Sequence, residues 1–187
     1  MRTSSKSRIP SEATDDVGHI IALLVRFPEI ATIVSHPTDG ALTLSFAVEA
    51  RLGRRDEGEI RESVGEHVRS LLELMKEKPA TLAVACESDE SMSFVRITRD
   101  AGSFTREELQ LVVSLLGERF GSTLVRSPAA DDDAFEDEGG DDDLVDFAIE
   151  ALRDPAQQRS MVGFREEKRV LVYFVKSRKK AKARARS

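Results

Sequence analysis

The stretch VLVYFV at positions 170–175 is apolar at every position. It limits the architectures open to this chain more than any other feature. A strand sends successive side chains to opposite faces, so a strand apolar throughout presents an apolar surface on both. Such a strand is expected to hold a central place in a sheet, or to be covered on both sides. It follows SMVGFREEKR, and the two runs read together as a hairpin. An isolated hairpin is marginal in water, so the sheet that receives it must come from elsewhere in the chain.

Apolar periodicity upstream supplies one. Val17, Ile20, Ile21, Leu24 and Phe27 recur at helical spacing from Thr14 onward. Thr14, Asp15 and Asp16 offer caps, and Pro28 forbids a simple continuation. ATIVS and LTLSFAVEA follow as two β-rich runs, joined by the turn chemistry of HPTDG. In the second run Leu42, Leu44, Phe46 and Val48 alternate with Thr43, Ser45 and Ala47, which predicts a strand with one buried face. The longest helix is predicted over about 57–76, with Ile60, Val64, Val68, Leu71, Leu72 and Met75 on its apolar stripe and Pro79 closing it. TLAVACES and SMSFVRITR are the next two strands, and the small Ala83 and Ala85 suggest a face lying close under a helix. SFTREEL opens another helix, with Thr105 as cap and Glu108 placed to reach back to it. Leu109, Val112, Val113, Leu116 and Phe120 bury that helix, Gly121 stops it, and STLVRS is predicted as a last short strand.

The order from Leu42 to Arg126 is therefore strand, helix, strand, strand, helix, strand. The expected fold class is α+β: a two-layer arrangement of an antiparallel sheet with helices on one face. Its strand order is similar to the ferredoxin-like pattern in topology only, and a C-terminal helix–hairpin unit follows it. A rival arrangement makes the first helix and its two strands integral to a larger sheet. The expected organisation is a disordered basic arm over 1–13, an α+β domain over 14–127, an acidic flexible linker over 128–143, a helix–hairpin unit over 144–176 that can dock on the main domain, and a disordered basic tail over 177–187. Sliding 15–49 onto 142–176 without gaps sets Asp15 on Asp142, Arg26 on Arg153, Pro28 on Pro155 and Leu44 on Leu171. That is either a duplicated helix–hairpin or the common look of any capped helix followed by a hairpin.

Charge is segregated along the chain. DDDAFEDEGGDDD, residues 131–143, holds nine acids in thirteen positions, whereas KSRKKAKARARS, residues 176–187, holds seven cations and no acid. A dense carboxylate run repels itself and has little to bury, which reads as a solvated spacer. Its spacing lacks the glycine and terminal glutamate of an EF-hand loop. Lys176, Arg178, Lys179, Lys180, Lys182, Arg184 and Arg186 are the candidate binding residues. They suit phosphates without reading sequence, so the expected partner is an anionic polymer, with RNA or ribosome ahead of DNA. An acidic protein face, an anionic membrane surface or a merely solubilising tail are the alternatives. Phe94 with Arg96, and Phe164 with Arg165, are the nearest candidates for contacting bases, against a core role for these phenylalanines.

Catalytic chemistry finds little support. His19, His36 and His67 have no ligand spacing, and Cys86 is the only cysteine. G-x-S-x-G, P-loop and dinucleotide glycine motifs are absent from the sequence. No enzyme, metal or cofactor is expected. The lone cysteine, together with an opening MRTSSKSRIP that lacks a secretory apolar run, reads as cytoplasmic. No segment approaches the roughly 20 apolar residues of a membrane span. The rival function is a protein-interaction or chaperone-like module, homodimeric in one version. A third, an enzyme, would need a pocket joining His67, Cys86 or carboxylates.

Overall fold

The computed structural model describes residues 11–127, 141–154, 159–166 and 169–175. The chain runs α1 (Ser11–Arg26), β1 (Ile30–His36), β2 (Ala41–Val48), α2 (Arg54–Leu74), β3 (Leu82–Ser88), β4 (Ser93–Asp100), α3 (Arg106–Phe120), α4 (Asp141–Arg153), β5 (Ser160–Glu166) and β6 (Arg169–Val175). Local chemistry accounts for most of these ends. Between β1 and β2 the 3-10 turn Pro37–Asp39 closes on Gly40, whose φ of 61° lies in the left-handed region that glycine enters without steric cost. Thr105 Oγ1 accepts from the Glu108 N–H at 3.2 Å and starts α3, and Gly121 (φ 53°) ends it. On α2 the residues Ile60, Val64, Val68 and Leu72 are buried, one stripe at 3.6-residue spacing.

All strand pairs are antiparallel and form one sheet in the order β3-β4-β2-β1-β5-β6. The sheet joins at β1 and β5, where Ile33 faces Gly163 and Val34 faces Val162. Ile33 and Gly163 are each the fourth residue of a seven-residue strand, so the segments α1-β1-β2 and α4-β5-β6 meet centre to centre in opposite directions. Their helices α1 and α4 also pack on each other. The larger-sheet arrangement is thus the one observed, and the helix–hairpin unit continues the sheet. Matching the two segments strand on strand needs a longer connection before β5, since α1 to β1 leaves residues 27–29 and α4 to β5 leaves 154–159.

Gly163 also fixes which face carries the helices. A Cβ there would lie 2.2 Å from Ile20 Cγ2 of α1, so position 163 and its alternates 161 and 165 point to the helix layer. Through the registers the same face includes Ile33, Leu42, Leu44, Phe46, Val95 and Ile97, all buried. On that side Cys86 Sγ approaches the Glu57 carbonyl of α2 at 4.0 Å, and Arg99 meets Glu108 of α3. Ile20 and Leu24 of α1, Val145 and Ile149 of α4, and Leu109 and Val112 of α3 complete the core. The opposite face of the sheet has no helix from the described residues over it.

Four expectations need correction. STLVRS does not form a strand: Gly121–Thr123 is a 3-10 turn, and Leu124 makes a single isolated bridge to Val48. From Ile30↔Phe46 onward β1 already occupies that side of β2, so the sheet does not follow the ferredoxin-like strand order. Ala83 and Ala85 are exposed on the helix-free face; Leu82, Val84 and Cys86 take the helix side because they carry the apolar bulk. The doubly apolar β6 lies at an edge, with Tyr173, Phe174 and Val175 exposed. Both sides of β1 are filled by β2 and β5, which leaves β6 only the outer side of β5.

Candidate binding surface

The seven predicted site residues, Lys176, Arg178, Lys179, Lys180, Lys182, Arg184 and Arg186, lie outside the described residues. The structure places the residue they follow, Val175, at the end of the edge strand β6. The acidic run divides: residues 128–140 lie outside the described residues, while 141–143 open α4. A first turn suits acids, because their charge faces the positive end of the helix dipole. Asp142 and Asp146 are engaged within the described fold, at 2.9 and 3.4 Å from the Arg106 guanidinium.

The helix-free side of the β5–β6 hairpin bears Val162 and Phe164 on β5 and Leu171, Tyr173 and Val175 on β6. Val162 pairs with Tyr173 and Phe164 with Leu171, which makes Phe164 and Tyr173 diagonal neighbours on one face. Their rings stack at a centroid distance of 5.8 Å and an interplanar angle of 20°. Tyr173 is 55% exposed in spite of that contact. Val34 of β1 continues the surface beside Val162, and the His36 ring meets Ser160 Oγ at 3.3 Å. On the helix side of the same edge, the Arg159 guanidinium sits 5.4 Å from the centre of the exposed Phe174 ring, a cation–π geometry.

The two phenylalanine–arginine pairs fare differently. Phe94 and Arg96 share the helix-free face, but Arg96 is tied to Glu87 at 2.5 Å. Phe164 and Arg165 are neighbours in sequence and therefore point to opposite faces. Arg165 turns toward the helices, where burial pushes its guanidinium below its ordinary value against the opposing pull of Glu29. Among the described residues its Nε and Nη2 find no hydrogen-bond partner. Tyr173 is hidden within the apolar run at the sequence level. What marks it is that it is the chain's one tyrosine, three positions before the first cation of the tail.

Other polar chemistry in the fold is structural in form. Arg99 and Glu108 are both fully buried. Arg99 donates from Nε and Nη2 to the two Glu108 oxygens at 2.5 and 3.1 Å, from Nη1 to Thr81 O at 2.7 Å and to Asp100, and from Nη2 to Ser103 Oγ at 3.1 Å. Every guanidinium donor is thereby used. Burial pushes the Asp100 carboxyl up, but the Ser103 hydroxyl, the Thr81 N–H and the Arg99 charge outweigh it and hold the group at about 2. Burial raises Glu108 above the usual carboxylate range, against the Arg99 hydrogen bonds and charge. The cluster ties β4 to the start of α3 and to residue 81 ahead of β3, and leaves no donor of Arg99 for a ligand.

The histidines and Cys86 stay apart. His19 makes an edge contact with Phe147 at 5.2 Å, and His67 Nδ1 lies 2.7 Å from the Ser63 carbonyl. The half-buried Cys86 thiol is pushed up first by burial and then by Glu57. A depression of about 510 Å³ between the end of α2 and the start of β3 has Leu72, Pro79 and Leu82 in its lining with Arg69, Glu73 and Lys76, and holds neither His67 nor Cys86. Among the described residues no group of three or more His, Cys, Asp or Glu could hold a metal ion, and no helix is long and apolar enough to cross a membrane. Comparisons with protein-family models, curated proteins and solved structures return no match to this chain.

Proposed function

We propose that this chain is a non-enzymatic binding protein that holds an anionic polymer through Lys176, Arg178, Lys179, Lys180, Lys182, Arg184 and Arg186, with RNA, free or in the ribosome, as the partner. One observation carries this function: the cationic stretch begins directly after Val175, at an exposed edge of the sheet. Arg159 and Arg169 lie on the same hairpin, and Asp142 of the acidic run and Asp146 just after it are engaged by Arg106. Phosphate contacts by all seven cations would give a log–log salt slope of roughly −5 on a single strand. Fluorescence anisotropy of a labelled RNA, titrated across salt concentrations with the full chain and with residues 176–187 deleted, tests it. Association and slope both collapse in the deletion if the tail holds the polymer; unchanged association excludes that role.

The exposed apolar edge of β6 favours a second function, a protein-interaction module. Sedimentation separates the two, since self-association indifferent to salt belongs to the second.

A further inference from the structure

We propose that the helix-free face of β5–β6, centred on Tyr173 and backed by Phe164, is a stacking platform for the bases of single-stranded RNA, next to which the basic tail holds the phosphates. This rests on the tail's role above and adds the class of RNA and the place where it lies.

Three features of the edge select this occupant. The strand has the composition of a sheet interior yet ends in three exposed residues, Tyr173, Phe174 and Val175, so its surface is fitted for cover. The cover must be anionic. Within β6 the only charge is Arg169, with Lys168 before it and Lys176 after Val175. In the hairpin Arg169 stands in register opposite Glu166, so the uncompensated charge of this edge is the cationic segment that follows Val175 in the sequence. A second copy would bring the same cationic segment and like charges repel, whereas a polyanion is attracted to it.

The third feature is the ring. Phe164 holds Tyr173 in a fixed stack, and the exposed part of the phenol ring offers a π-face near the edge. Aromatic side chains on an open sheet bind unstacked bases of any sequence, and bases paired inside a duplex are not available to them. Two residues of extended strand separate Tyr173 from Val175, a distance of about 7 Å. The seven-cation segment follows Val175 directly in the sequence, so a nucleotide stacked on Tyr173 would lie about that distance from the point where the segment begins. The platform itself contributes little net charge, since on that face of the hairpin Arg169 stands in register opposite Glu166. Affinity then comes from the tail, and preference for single strands comes from the ring.

The chain contains one tyrosine and no tryptophan, so its intrinsic fluorescence reports Tyr173 alone. The experiment titrates the full chain with a single-stranded oligouridylate, with an RNA duplex of equal length and with heparin, a polyanion without bases. Anisotropy or competition gives binding, and tyrosine emission lifetime gives stacking. The oligouridylate is expected to quench Tyr173 in step with binding, and heparin to bind without quenching. Tyr173→Leu, which keeps an apolar strand residue, should weaken oligouridylate binding about tenfold and leave heparin binding unchanged, while Tyr173→Phe keeps wild-type affinity. RNA binding without quenching, or an equal effect of Tyr173→Leu on duplex and single strand, overturns the platform and leaves the tail's role standing. Failure of every polyanion to bind removes the tail's role and the platform with it. Salt-indifferent self-association that buries Tyr173 assigns the face to a protein partner and refutes the proposal. Circular-dichroism melts of both variants establish that each is folded.

Discussion

Gly163→Ala is the most direct probe of how the two halves of the sheet are joined. The backbone there is extended, so alanine meets no conformational objection; the objection is space. The added Cβ would lie 2.2 Å from Ile20 Cγ2 and 3.0 Å from Leu24 Cδ1, the first far inside the ~3.5–4.0 Å optimum of a carbon pair. Cγ2 is held by the stiff χ1 of a β-branched residue, so α1 itself must move. Overpacking of this kind costs about 1–3 kcal/mol, and the unfolded-state gain of replacing glycine offsets only about 0.4–1 of it. The net expectation is a loss of about 1–2 kcal/mol, or a fall in melting temperature of roughly 2–8 °C for a domain of this size. Urea unfolding followed by far-UV circular dichroism measures it. A double-mutant cycle with Ile20→Ala sharpens the test: truncation alone costs about 2–5 kcal/mol, and in that background Gly163→Ala should become neutral or stabilising. If Gly163→Ala is neutral in the wild-type chain, or the two changes add within about 0.5 kcal/mol, the close packing of α1 on β5 is refuted.

The buried cluster makes two predictions. Arg99→Met strands the Glu108 carboxylate in the core and should cost about 3–5 kcal/mol in urea unfolding, whereas Arg99→Met combined with Glu108→Leu should recover much of the loss. Asp100, held at about 2 in the fold, stabilises the folded state above the ordinary aspartate range, and that contribution fades as pH falls from about 4 through 2. The raised Glu108 acts in the opposite sense, favouring the fold as it takes up its proton, so the comparison that isolates Asp100 is wild type against Asp100→Asn. The variant should have a flatter stability profile over that window, by about 2 kcal/mol in total; parallel profiles would remove the cause assigned here. Cys86, with its thiol raised by burial, should react with a disulfide reagent at neutral pH more slowly than a free cysteine and catch up on unfolding; an equal rate in the native chain would contradict its placement under α2.

Period and punctuation make the elements legible and leave their partners hidden. The alternation of Leu42, Leu44, Phe46 and Val48 and the stripe Ile60, Val64, Val68 and Leu72 state a local geometry, because each residue's face follows from its neighbours along the chain. The pairing of Ile33 with Gly163 depends on residues 130 positions apart, and nothing near either one encodes it. Leu124 shows the same limit: a β-rich run becomes one bridge because β1 already holds that side of β2. Glu108 is legible as the partner of a cap, and Thr105 does cap α3; but a buried guanidinium from β4 draws the carboxylate inward, a stronger claim than an exposed N–H.

The discrepancy at 170–175 is of another kind. There the local pattern is plain, a strand apolar on both faces, and the position contradicts it. Natural edge strands are usually shortened or charged, and β6 is seven residues long with no charge after Arg169. Its one charge is Arg169 at its first position, in register opposite Glu166, and the sequence that follows Val175 is cationic. A sequence that keeps an interior-type strand at an edge and exposes its sole tyrosine there departs from local consistency in the way expected of a working surface. On the proposal above, charge and ring together separate a working surface from a defect: a base-bearing polyanion would satisfy both, where heparin would satisfy only the first.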